Sequence, residues 1–89
     1  MPQTDDDLLA FDTGDLEDWD EQRARAALGG RHGALYRNHL RIARHLDAWA
    51  EAEGRRTDVD AHYRAGYTQA LHDMAAFLRQ TYYLPPGAD

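Results

Sequence analysis

The chain has 89 residues, 16 acidic side chains against 10 basic ones, a formal net charge of −6 and no cysteine. A chain this short makes one domain at most and buries only about 60–65% of its unfolded surface, so it has little core to spare and gains from a partner. Without cysteine, disulfides and thiolate metal sites are excluded. No apolar run approaches the roughly 18 residues of a membrane span, so a cytoplasmic protein with no membrane partner is expected.

The charge is divided along the chain. Residues 1–21 hold nine of the acids and no arginine, whereas the rest carries all ten basic residues, every one an arginine, against seven acids. Such asymmetry marks an interaction tail or a self-masking segment. Within it, the stretch 5–14, DDDLLAFDTG, mixes acids with Leu8, Leu9 and Phe11, a composition that cannot build a core alone but can dock on one. Residues 1–14 are therefore expected to form an acidic flexible arm, and residues 15–89 a single helical domain.

A short first helix is predicted from Asp15 to Leu28, with acids at the positive end of its dipole and Leu16, Trp19, Ala26 and Leu28 as its apolar residues. Gly29 and Gly30 end it, and the loop GGRHG (29–33, with Arg31) reads as a flexible hinge. A second helix is predicted over 34–53, closed by Gly54. Thr57 is its successor's expected N-cap, with Asp60 as the capping-box acid, and the third helix is predicted to reach Tyr83 before Pro85 and Pro86 stop it. The short GRRT connection makes the two long helices an antiparallel hairpin.

On the second helix Leu35, His39, Ile42, Leu46 and Trp49 alternate four- and three-residue spacing, with Tyr36, Ala43 and Ala50 alongside. The third helix spreads Tyr63, Gly66, Tyr67, Ala70, Leu71, Met74, Phe77, Leu78 and Tyr82 over nearly half its circumference. One neighbour cannot cover so wide a face. The fold class predicted is all-α, an antiparallel hairpin plus a short N-terminal helix, dimerising into a four-helix-type bundle. Tyr63, Gly66, Tyr67, Ala70, Met74 and Phe77 form its expected interface, the Gly66/Ala70 strip giving room for close helix approach within the chain or between copies.

Chemistry is thinly represented. Serine and cysteine are both absent, which leaves almost no nucleophilic catalysis. The five histidines show no i, i+4 pair, and the chain has no phosphate-binding glycine fingerprint. Neither catalytic residues nor a metal or cofactor site is predicted. His39, in an apolar seam, needs a partner, and folding the hairpin about residue 56 offers Asp73. That fold also sets Gly66 level with Leu46 and Tyr63 level with Trp49.

The functional reading is a small acidic protein-interaction or regulatory module, not an enzyme. It acts through a helical homodimer and through an acidic-hydrophobic arm in which Leu8, Leu9, Phe11 and Trp19 dock on a protein partner. A first alternative is a nucleic-acid-binding accessory protein using a stripe of Arg37, Arg41 and Arg44, with the arm as internal competitor. The stripe lacks interleaved aromatics for stacking bases, so nucleic acid is not the favoured partner. Further behind stands a small metal-dependent nucleotide hydrolase built on Glu17, Asp18, Asp20, Glu21, Asp47 and Glu51.

Overall fold

A computed structural model describes residues 5–11 and 19–84. Among them the chain is all-helical: α1 (Asp5–Leu9), α2 (Glu21–Gly29), α3 (Gly33–Gly54) and α4 (Ala61–Arg79). The two long helices form the hairpin, and α1 and α2 both pack on α3. Leu16 and the rest of 12–18 lie outside the described residues, but Trp19 and Asp20 are not helical, so α2 starts at Glu21 rather than at Asp15. Asp20 is its N-cap, accepting from the backbone N–H of Gln22 at 2.9 Å and of Arg23 at 3.4 Å.

The expected hinge between α2 and α3 is a tight hydrogen-bonded turn. Gly30 N–H donates to the Ala27 carbonyl at 3.2 Å and Gly33 N–H to Gly30 at 3.1 Å. Gly33 is required there because a Cβ would collide with the carbonyl oxygen of Leu28.

The N-cap of α4 is Asp60, not Thr57. Its carboxylate accepts from His62 N–H at 2.9 Å and Tyr63 N–H at 3.2 Å. Arg56 grips the Asp58 carboxylate with two bonds, at 3.0 and 2.8 Å, which holds the connection out of the helix until Ala61. This longer connection moves the hairpin register by roughly one turn. His72 Nδ1 meets Asp47 at 2.9 Å and Trp49 packs on Tyr67 at 6.1 Å between ring centroids, so Gly66 is not level with Leu46 nor Tyr63 with Trp49.

At the other end α4 stops at Arg79, four residues before the expected Tyr83. Gln80 is extended, and a turn closed by Leu84 N–H on the Thr81 carbonyl at 3.1 Å returns Leu84 to the protein interior. A continued helix would carry Leu84 past the core instead.

The core lies at this open end of the hairpin. Leu8, Leu9, Ala24, Ala27, Leu28, Tyr36, Leu40 and Leu84 are buried together, flanked by Trp19 and Tyr83. Toward the α3–α4 connection the buried residues thin to Ala43, Ala50 and Ala75. The radius of gyration is 14.4 Å, above the roughly 12 Å of a compact domain of this length, because one long hairpin carries most of the structure.

Candidate interaction surface

Each long helix carries an inner and an outer seam about one residue apart, and on both helices the outer one is largely apolar. The inner seam of α3 is Tyr36, Leu40, Ala43, Asp47 and Ala50; on α4 it is Arg64, Thr68, Leu71, Ala75 and Arg79, all buried or half-buried. These meet inside the hairpin. The outer seam of α3 is Leu35, His39, Ile42, Leu46 and Trp49, and that of α4 is Tyr63, Tyr67, Ala70, Met74 and Phe77. Both follow the alternating four- and three-residue spacing of a helix-packing seam.

A one-residue step toward the N-terminus turns a side chain by roughly 100° about the helix axis. Because α3 and α4 run in opposite directions, equal steps on the two turn opposite ways, and both outer seams open on the same side of the hairpin. Trp49 against Tyr67, and Tyr83 lying between Phe77 (5.2 Å) and His39 (5.3 Å), tie the two seams into one surface.

This surface is uncovered in the single chain. Tyr63 is 57% exposed, Met74 and Phe77 55%, and Leu35, Ile42 and Trp49 each just over 40%. Tyr67, His39 and Leu46 are half-buried, and Ala70 and Gly66 are exposed. Beyond its chain neighbours and its own helix backbone, nothing lies within 4 Å of where a Gly66 Cβ would stand, so Gly66 does not serve close packing inside the chain. The helix expected to cover part of α4 packs on α3 instead, and Ala26, assigned to its apolar face, is exposed while Ala24 and Ala27 are buried.

His39 is satisfied differently from expectation. The Tyr83 hydroxyl donates to the Leu78 carbonyl at 2.8 Å and lies 2.8 Å from His39 Nδ1, so the imidazole must donate through Nδ1 and the phenol accept. Asp73 instead accepts from Gln69 Nε2 at 2.8 Å. The early end of α4 is what brings Tyr83 back to His39. Burial, reinforced by the nearby Tyr36 phenol, pushes the Tyr83 phenol up.

The arm residues are used by their own chain. Leu8 and Leu9, expected to dock on a partner, are core residues 3% and 6% exposed. Phe11 lies edge-on to Trp19 at 5.1 Å and under the Arg79 guanidinium at 4.1 Å. Of the arginine stripe, Arg44 donates to the Asp7 carbonyl, Arg37 is half-buried and Arg41 is exposed. Helix α1 thus lies against one end of the stripe.

Arg79 is the residue that sequence reading missed. It is 7% exposed, pairs with Asp47 at 2.6 Å and offers its backbone carbonyl to the Tyr36 hydroxyl. The signal available was its place one turn beyond Ala75 in the inner seam, where an arginine reads as a solvated helix end. Burial pushes the Tyr36 phenol up to about 12, against the opposing pull of the Trp19 N–H and the Arg79 charge. The Trp19 indole N–H faces that hydroxyl without closing a full hydrogen bond, and Arg79 Nε also lacks a partner.

These two side chains line a small recess with Asp20, Arg23, Gln80, Thr81 and Tyr82, with room for roughly one water molecule. The acids proposed for a hydrolase are dispersed. Asp47 is held by Arg79 and His72, Asp20 caps α2, Glu21 pairs with Arg25 at 3.2 Å, and Glu51 is exposed; Glu17 and Asp18 lie outside the described residues. Among the described residues no three His, Asp or Glu side chains cluster to hold a metal ion, and no helix is long and apolar enough to cross a membrane. Compared with known proteins, the chain matches no family model, no curated sequence and no solved structure.

Proposed function

We propose that the protein is a small protein-interaction or regulatory module whose working surface is the outer seam of its hairpin, acting as a helical dimer, with the acidic-hydrophobic N-terminal segment docked on its own chain. The observation that supports this reading is the doubled seam. α3 already has α1, α2 and α4 as neighbours and α4 has α3, yet each long helix carries a further apolar stripe that stays open to water. The energies agree in size. Six large apolar side chains per chain have about half their surface still to lose, worth roughly 1 kcal/mol each. Across two copies that is on the order of 10 kcal/mol, the same range as the roughly 4–15 kcal/mol cost of association.

The test is sedimentation across a wide concentration range. The wild-type chain is expected to reach twice its monomer mass, and Met74→Glu with Phe77→Glu to hold it at monomer mass with its helical circular dichroism intact. A wild-type chain that stays monomeric at every concentration overturns the reading.

A further inference from the structure

Resting on the outer seam as the dimer surface, we propose that the second copy is arranged with α3 of one chain against α4 of the other, about a two-fold axis parallel to the helices, so that His45 faces Asp73 at both edges of the interface. Two isologous arrangements would bury the outer seam. With the axis parallel to the helices, α3 packs on α4 across the interface; with the axis across them, α3 packs on α3 and α4 on α4.

The edges of the surface separate these choices. Beyond the outer seam, on the side away from the hairpin mate, α3 presents Asn38, Arg41 and His45 and α4 presents His62, Gly66, Gln69 and Asp73. His45 and Asp73 are both exposed and both held in place, His45 against the Trp49 ring at 6.4 Å and Asp73 by Gln69. Packing α3 on α4 sets an imidazole N–H donor against a carboxylate twice. Packing each helix on its own copy brings together the two α3 edges, each carrying Arg41 and His45, and like against like at a closing interface is disfavoured.

Heights along the helices agree with this choice. A two-fold axis parallel to the helices leaves every residue at its own level, so the ladder inside the hairpin, Asp47 with His72 and Trp49 with Tyr67, also decides which residues meet across the dimer. His45 then falls level with Asp73. Along the seam Leu46 meets Ala70 and Ile42 meets Met74, a large side chain against a small one and a branched one against a flexible one, while the rings of His39 and Phe77 meet. The open space at Gly66 lies beside Ala70 on this approach, where the bulk of Trp49 would enter.

The chain has no cysteine, so cross-linking reads the arrangement directly. Leu46→Cys and Ala70→Cys are made as separate proteins, mixed, allowed to exchange and oxidised. A disulfide between the two variants, with neither linking to itself, is the expected result; Ala70→Cys linking to itself, and no link in the mixture, overturns the arrangement while leaving the dimer standing. His45→Asp is expected to weaken association about tenfold, as two surface pairs become repulsive, and adding Asp73→His to restore it within about threefold; a double variant as weak as the single one overturns the edge contact. A wild-type chain that sediments as a monomer removes the underlying reading instead.

Discussion

Along α3 the inner seam takes Tyr36, Leu40, Ala43 and Ala50 out of water, while one residue back Leu35, Ile42 and Trp49 stand half in solvent. The outer set is the bulkier and, Tyr36 and Leu40 apart, the more apolar. Toward the α3–α4 connection size decides which seam closes the hairpin. Alanines at 43, 50 and 75 let the two helices come close there and leave the wide side chains of Ile42, Trp49 and Met74 facing outward, while at the open end the inner seam holds Tyr36 and Leu40. Hydrophobicity alone does not say where a side chain goes when two adjacent stripes compete.

Three measurements can break or sharpen this contrast. The largest effect is expected from paired truncations, read by urea unfolding in dilute solution. Leu40→Ala should cost about 2–5 kcal/mol because a fully buried site is emptied. Ile42→Ala should stay within about 1 kcal/mol, since much of that side chain is already wet. Equal costs for the two would show that the outer seam is packed within the monomer and dissolve the distinction.

A second comparison uses the two contrasting glycines. Gly33→Ala forces a Cβ onto the Leu28 carbonyl and should cost roughly 1–3 kcal/mol, as overpacking does. Gly66→Ala points into open space on an exposed helix face and should raise stability by up to about 1 kcal/mol. A destabilising Gly66→Ala in dilute solution would mean that close packing occurs there within one chain.

The smallest effect concerns alkaline pH. Tyr36 is pushed up to about 12 in the folded chain from an ordinary value near 10. Its neutral phenol therefore favours folding fully below pH 10, and that contribution is lost as pH rises toward 12, where the unfolded chain has already ionised. The melting temperature should fall over this window in the wild type and fall less steeply in Tyr36→Phe, with Tyr83, also pushed up by burial, supplying the remainder. An unchanged slope in Tyr36→Phe would show that the inner seam is not closed over that phenol.

The hairpin itself was legible because its two helices carry sustained helical periodicity, broken by Gly54 and a polar connection. The breadth of the apolar face on α4 was legible for the same reason. What was not legible turned on competition between local groups. Thr57 and Asp60 both suit a cap, and Arg56 drawing Asp58 aside settles it in favour of Asp60. That three-residue shift carried the register with it and so gave His39 a different partner. The end of α4 was misjudged because nothing between Arg79 and Pro85 forbids a helix; burial of Leu84 does, and that is a tertiary effect. Leu8 and Leu9 look like bait for another protein until the shape of the groove beside Leu28 and Leu40 is known.

The shared burial of Leu9 and Leu84 has a consequence for how this molecule can be handled. Head and tail of the described chain act as twin staples through one cluster, so trimming either loosens a patch that the other depends on. A label inserted beside Leu9 or Leu84 abuts that cluster, whereas the exposed Arg55–Asp58 bend, at the far end of the hairpin, is where an inserted label would disturb the staples least.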